Sequence, residues 1–263
     1  MFKTFIESAG ELIKNPFTLI PAVCAMVVNL FVLSIASEAY FNVIYEVILF
    51  GNVGDSIIEL PLYLFASYGK EIFIIAGAMF LTLAIGYYLT YVYAKVLAEK
   101  EAVIPAMIKT LGNAGELIGI TLFAFVMFFI YATITYFLIV ISFTVEIIGL
   151  FAFIILLTWF FFGAYAYFKF MFTPIIMVVK KQKLKIGLAT SWKWSEKKII
   201  SIMVLLLVMG FITGIVGDLF LTLGSAFEQD FEIIALIILA LGIGITSTFY
   251  HITLIKYFLT SEN

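Results

Sequence analysis

Few side chains in this 263-residue sequence could do chemistry. His251 is the single histidine and Cys24 the single cysteine, and neither has Cys, His or carboxylate neighbours at metal-ligand spacing. No metal or other cofactor site is therefore expected, and a lone cysteine allows no intrachain disulfide. His251 lies inside an apolar run, where it could relay a proton. A hydrogen-bonded interior residue near the membrane interface is the reading we favour. Asn29 is the most central polar residue of the first apolar run. Its amide is expected to bond between helices, a contribution of about 0.6–2 kcal/mol. Gly51-Asn52-Val53-Gly54-Asp55 offers an aspartate in a glycine-bearing turn. A paired-carboxylate mechanism needs a second embedded acid, and none is present. No catalytic residue can be named.

The groups that remain are cations, rings and glycines. Lys169, Lys180, Lys181, Lys183, Lys185, Lys193, Lys197 and Lys198 are eight of the fifteen lysines, and the chain has no arginine. Trp192 and Trp194 stand among them. Lysine beside tryptophan at a membrane surface suits anionic lipid headgroups, at about 1 kcal/mol per lysine. Lys181, Lys183, Lys185, Trp192, Lys193, Trp194, Lys197 and Lys198 are the headgroup candidates. The alternative is that the cluster only anchors topology. Gly210-Phe211-Ile212-Thr213-Gly214, extended by Gly217, forms a GxxxG stripe, and Gly242 and Gly244 lie in the next apolar run. Small residues four apart allow close backbone approach, so these five glycines are expected to pack the last two helices together.

The elements that must position these groups follow from composition. Hydrophobic residues are 64% of the chain and charged residues 12%, against roughly 45–50% and 25% in soluble domains. With 29 Phe and 14 Tyr, the chain demands a membrane. Its apolar runs are continuous rather than alternating, which excludes a transmembrane barrel. The expectation is an all-α integral membrane protein forming a single membrane domain over residues 1–263, with no separate soluble domain. The first residues lack a cleavable signal pattern, so the first helix is expected to be retained.

Six spans are predicted, at about 17–37, 72–94, 117–143, 147–179 (interrupted near Pro174), 199–217 and 233–257. Residues 2–14 place Phe2, Phe5, Ile6, Ala9, Leu12 and Ile13 opposite Lys3, Glu7, Glu11 and Lys14, the spacing of an amphipathic helix too short to span. Asn15-Pro16 should cap and restart the chain. Residues 103–118 and 184–198 have the same character. The segment 38–68 suggests short helices packed on the outer face, Glu146 marks an outer turn, and Asp218, Glu228, Asp230 and Glu232 an outer loop. Fourteen of the fifteen lysines fall on the side shared by both termini, Lys70 being the exception. Lysine bias of this kind predicts cytoplasmic termini, in a plasma membrane.

Three segments superpose: Phe5 to Glu11, Met107 to Asn113 and Leu188 to Trp194, with Ser8, Thr110 and Ser191 coincident. Tyr91-Val92-Tyr93-Ala94-Lys95 echoes Tyr165-Ala166-Tyr167-Phe168-Lys169, and Lys256 ends the last span in the same way. The implied unit is an interfacial helix followed by a membrane hairpin, repeated over 1–95, 103–169 and 184–257. The competing explanation is that membrane hairpins commonly begin amphipathic and end in lysine.

The stretch Phe172-Thr173-Pro174-Ile175-Ile176 through Leu188-Ala189-Thr190-Ser191-Trp192-Lys193-Trp194 resembles a signature of a multi-pass membrane domain. That domain is found beside some glycerophosphodiester phosphodiesterases and in stand-alone prokaryotic relatives of unknown function. Ala189, Ser191 and Trp192 followed by a basic residue carry the match, over the second half of the chain. The absence of arginine departs from that family's usual pattern. The resemblance implies a six-helix membrane domain in a prokaryote and no catalysis, because the phosphodiesterase activity resides in a soluble domain. A non-catalytic accessory subunit or lipid-interacting scaffold is expected, with anionic lipid on the cytoplasmic side as partner. A membrane protein partner or a homo-oligomer is compatible with this, and nucleic acid is not. The alternative is a small-solute or ion transporter or channel, which repeats and Gly- or Pro-interrupted helices would suit.

Overall fold

The computed structural model describes residues 2–53, 59–144, 146–227 and 232–262. Every element among them is helical: α1 (Phe2–Lys14), a 3-10 turn (Pro16–Leu19), α2 (Ile20–Val53), α3 (Leu60–Ala98), α4 (Val103–Gly112), α5 (Ala114–Thr144), α6 (Glu146–Phe170), α7 (Thr173–Val179), α8 (Leu184–Glu196), α9 (Ile199–Ser225) and α10 (Glu232–Glu262). Six helical stretches are long and apolar enough to cross a membrane: 16–48, 60–98, 114–141, 151–179, 199–225 and 233–262. The chain is a multi-pass, all-helical membrane protein. In a bilayer every backbone polar group must be satisfied within the chain, and a continuous helix does this without help from water.

The helices run further than hydropathy suggested. Instead of short helices over 38–68, α2 continues to Val53 and α3 begins at Leu60 and bends at Tyr68, where φ is −128°. The proposed turn at Gly51 is helical as far as Val53, and Gly54 and Asp55 lie outside the described residues. Asp218 sits within α9 rather than in a loop; Glu228 and Asp230 lie outside the described residues, while Glu232 opens α10. Scattered carboxylates did not end these helices, because a helix accepts Glu readily on an exposed face. Proline did act as punctuation. Pro16 stands at the start of the 3-10 turn and Pro174 at the start of α7, where its missing N–H costs nothing. Asn15 precedes Pro16 but makes no side-chain cap bond.

The chain divides into two compact units. The first comprises 1–28, 85–120 and 168–263. Here α9 packs along α10, α1 along α10, and α7 along α8. Its core holds Tyr91, Tyr93, Phe172, Ile175, Ile202, Leu205, Met209, Ile252, Ile255 and Phe258, all essentially inaccessible. Gly187 permits the α7–α8 contact: a Cβ there would come within 2.8 Å of Met177 Cγ. The α7 end is a left-handed cap. Gln182 N–H bonds Met177 O at 3.1 Å, Lys181 N–H bonds Val178 O at 3.3 Å, and Lys181 takes φ 51° in a place glycine usually fills.

The second unit comprises 29–84 and 121–167. Its best-defined contact joins α5 and α6: Tyr131 stacks on Trp159 at 5.3 Å, and Trp159 Nε1–H donates to Thr135 Oγ1 at 3.1 Å. Gly163 makes room for the Tyr131 ring, which a Cβ would strike.

Candidate functional site

The polar residues of the first unit form three groups. The first ties short helices to the ends of long ones. On α1, Ser8 is fully buried and its hydroxyl donates to Thr4 O at 2.7 Å. Lys256 near the end of α10 gives its ammonium to Glu7 O at 2.7 Å and lies 3.3 Å from Glu11 Oε2. On α8, Ser191 is fully buried and donates to Lys169 O at 2.6 Å, while Lys169 Nζ donates to Trp192 O at 3.3 Å. On α4, Thr110 is fully buried and donates to Ala106 O at 2.7 Å. The three superposable hydroxyl positions thus share complete burial. On α1 the buried face is Thr4, Phe5 and Ser8, whereas Ile6 and Ile13 point outward at 59% and 79% exposure. Small polar residues lie inward there because the i→i−4 bond satisfies the Ser8 hydroxyl and lets α10 come close.

The second group surrounds His251. Thr90 Oγ1 lies 3.0 Å from Gly86 O, to which its hydroxyl can donate, and 3.2 Å from His251 Nδ1, with which it shares a hydrogen bond. The imidazole stacks on Tyr93 at 5.7 Å with an interplanar angle of 22°. Tyr93 OH donates to Thr18 O at 2.8 Å and accepts from Thr248 Oγ1 at 2.9 Å. Both chains reach backbone carbonyls, and no hydrogen bond among the described residues joins them. The arrangement can lock α3, α10 and the Pro16 turn together. No group of three or more metal-ligating side chains occurs among the described residues.

The third group is the lysine cluster, whose members have different duties. Lys180 pairs with Glu262 at 2.5 Å, and Lys181 with Glu99 at 3.6 Å. Lys198 Nζ donates to Ser261 O at 2.6 Å and lies 4.3 Å from the centroid of the Trp194 ring. Burial pushes the Lys198 ammonium below the ordinary lysine value, with Glu262 pulling it back. Lys183, Lys185, Lys193 and Lys197 are exposed and hold no ion pair among the described residues. The two tryptophans also differ. Trp192 is 36% exposed. Trp194 is wedged against Phe172 at 4.7 Å and Phe258 at 4.9 Å, and its indole N–H is buried without an acceptor among the described residues.

Two expectations need correction. Asn29 Oδ1 is buried and has no hydrogen-bond partner among the described residues, so the expected bond from it to another helix is not seen there. The GxxxG stripe does not pack α9 on α10 either: a Cβ at Gly210, Gly214 or Gly217 would meet nothing within 4 Å. The closely packed glycines are Gly242, whose Cβ would strike Phe220, Gly224, which would meet Leu239 Cγ at 3.0 Å, and Gly244, which would meet Val23 Cγ2 at 3.1 Å. α9 turns Ile202, Leu205 and Met209 inward, and bulky residues at that spacing leave the glycine stripe on another face.

Lys180, Glu262, Thr90 and Thr248 were missed from sequence. Each owes its role to a partner on a different helix, for which local spacing gives no signal. No protein-family model matches the chain, and neither a curated protein nor a solved structure does.

Proposed function

We propose that the protein is a non-catalytic membrane module, a lipid-interacting scaffold or accessory subunit, whose working surface is the basic face of α8. The observation that carries this is the division of labour in the lysine cluster. Lys183, Lys185, Lys193 and Lys197 are exposed around the half-exposed Trp192, while Lys169, Lys180, Lys181 and Lys198 are engaged within the chain. Four solvated ammoniums beside an indole, next to spans ending at Val179 and beginning at Ile199, suit phosphate headgroups of anionic lipid. With this goes the orientation set by lysine bias, both termini cytoplasmic in the plasma membrane. The resemblance to the phosphodiesterase-associated membrane domain points to the same non-catalytic role.

The test neutralises the four exposed lysines with Gln and leaves the engaged ones in place. Native mass spectrometry should then show several-fold less co-purified anionic lipid at low salt, with the difference shrinking as salt rises. Unchanged retention at low salt would reduce the cluster to a topology signal. A cysteine placed at Lys183 in a Cys24-free background should label only from the cytoplasmic side.

A transporter is the second reading. The span over 151–179 breaks between α6 and α7, and the buried Thr173 Oγ1 beside the break lacks a partner among the described residues. Broken helices with free polar groups occur at transport sites. Specific solute flux in proteoliposomes would favour it over the scaffold.

A further inference from the structure

Lys180 caps the end of α7 and Lys198 the start of α9, and both reach the final turn of α10. Lys180 Nζ is 2.5 Å from Glu262 Oε1, and Lys198 Nζ is 2.6 Å from Ser261 O. Their floor is aromatic: Lys180 lies 6.0 Å from the Phe258 centroid and Lys198 4.3 Å from that of Trp194. Part of this is ordinary helix capping, since cations neutralise the carbonyls left open at a helix C-terminus. The stoichiometry goes beyond that. Two ammoniums share one carboxylate, and the second must make do with a neutral carbonyl. The buried Trp194 indole N–H beside them has no acceptor among the described residues. The cluster is therefore richer in donors and positive charge than the described groups around it match.

Its position limits what could complete it. Apolar spans end at Val179, begin at Ile199 and end at Glu262, so Lys180, Lys198 and Glu262 all stand where a bilayer passes from hydrocarbon to headgroups. A phosphate has oxygens enough to bridge both ammoniums, which a single carboxylate already bound to Lys180 does not do. The Lys180 and Glu262 side chains keep 31% and 29% of their exposure. An ion pair that open is weakly held, and attraction of a lysine to an anionic membrane surface is of similar size.

We infer that Lys180 and Lys198 form an anion site which Glu262 occupies as an internal stand-in, and that the phosphate of an anionic phospholipid headgroup takes its place, freeing the last turn of α10. The inference rests on the reading of this side of the protein as lipid-holding, but it involves none of the four exposed lysines.

The experiment uses the full chain in nanodiscs of phosphatidylcholine with phosphatidylglycerol, and counts retained phosphatidylglycerol by native mass spectrometry at low salt. Glu262→Gln should raise retention about fivefold, the factor one lysine's attraction to an anionic surface is worth. Adding Lys180→Gln should abolish the gain. The gain should persist when Lys183, Lys185, Lys193 and Lys197 are all Gln. Equal or lower retention in Glu262→Gln would overturn the inference while leaving the α8 surface untouched. A gain in Glu262→Gln alongside undiminished retention in the fourfold variant would instead sink the α8 reading and keep this site. Competition by millimolar inorganic phosphate that erases the gain would show a soluble-anion site and overturn the lipid assignment.

Discussion

Lys256 donates its ammonium to the backbone carbonyl of Glu7 at 2.7 Å, across 249 residues of sequence. The carbonyl is already engaged in the first helix, so the lysine adds a charged donor at the part-buried contact between α1 and α10 and binds that short helix to α10. Glu11 completes the contact at 3.3 Å.

Lys256→Met should loosen α1. A hydrogen bond to a charged group contributes about 1.5–3 kcal/mol, and the thermal midpoint in detergent should fall accordingly. A cysteine at Ser8, fully buried in the native chain, should become reactive in the Lys256→Met background. Protection equal to that of the parent would show that Phe5 stacking on Phe249, at 6.4 Å, suffices to hold α1.

Tyr91 and Tyr93 are neighbours with almost no exposure, but their hydroxyls do different things. Tyr93 OH serves Thr18 O and Thr248 Oγ1, whereas Tyr91 OH has, among the described residues, Met177 Sδ alone at 3.4 Å. Tyr93→Phe leaves buried polar groups unpartnered, and should cost about 1–3 kcal/mol. Tyr91→Phe should cost well under half as much, since sulfur is a weak acceptor. Paired unfolding curves of the two variants would decide it. Equal losses would mean that the Thr18–Tyr93–Thr248 chain adds nothing beyond ring packing.

Replacing glycine by leucine should rank in the opposite order to the one that motif reading suggests. Gly242→Leu must displace Phe220 and should cost about 1–3 kcal/mol or more by overpacking. Gly214→Leu meets open space, and the better helix propensity of leucine should leave stability unchanged or slightly raised. If Gly214→Leu proves the more damaging in detergent-solubilised monomer, α9 packs differently from the arrangement described.

Burial holds Lys198 below the ordinary lysine value of 10.5. A lysine with a depressed folded pKa resists protonation in the native state. Its unfavourable contribution is full below the folded pKa and fades as pH rises through that value toward 10.5. The thermal midpoint of the parent relative to Lys198→Met should therefore climb as pH rises toward 10.5. A flat or falling difference would mean that the Glu262 attraction outweighs burial.

How much of this was legible in the sequence differs from residue to residue. Six apolar spans, the restart at Pro16 and the break at Pro174 were readable in advance. Hydropathy and the missing proline N–H act along the chain, and each is a property of residues within a turn or two. Helix ends near 38–72 and at Asp218 were misjudged for the same reason: single carboxylates look like loop signals locally, yet a long helix carries them outward without breaking. The roles of individual residues were decided elsewhere. Lys198 and Lys197 are adjacent and chemically identical, but Lys198 meets Ser261, 63 residues later at the end of α10, while Lys197 faces solvent. Gly214 looked like a packing residue and lies open; Gly242 does the packing because Phe220 happens to cross it. Composition and periodicity determined which segments are helices and which could enter a membrane. Only tertiary structure chose which lysine is engaged and which glycine is filled against, because those outcomes depend on the rotation of each helix about its axis, a quantity set by all its neighbours at once.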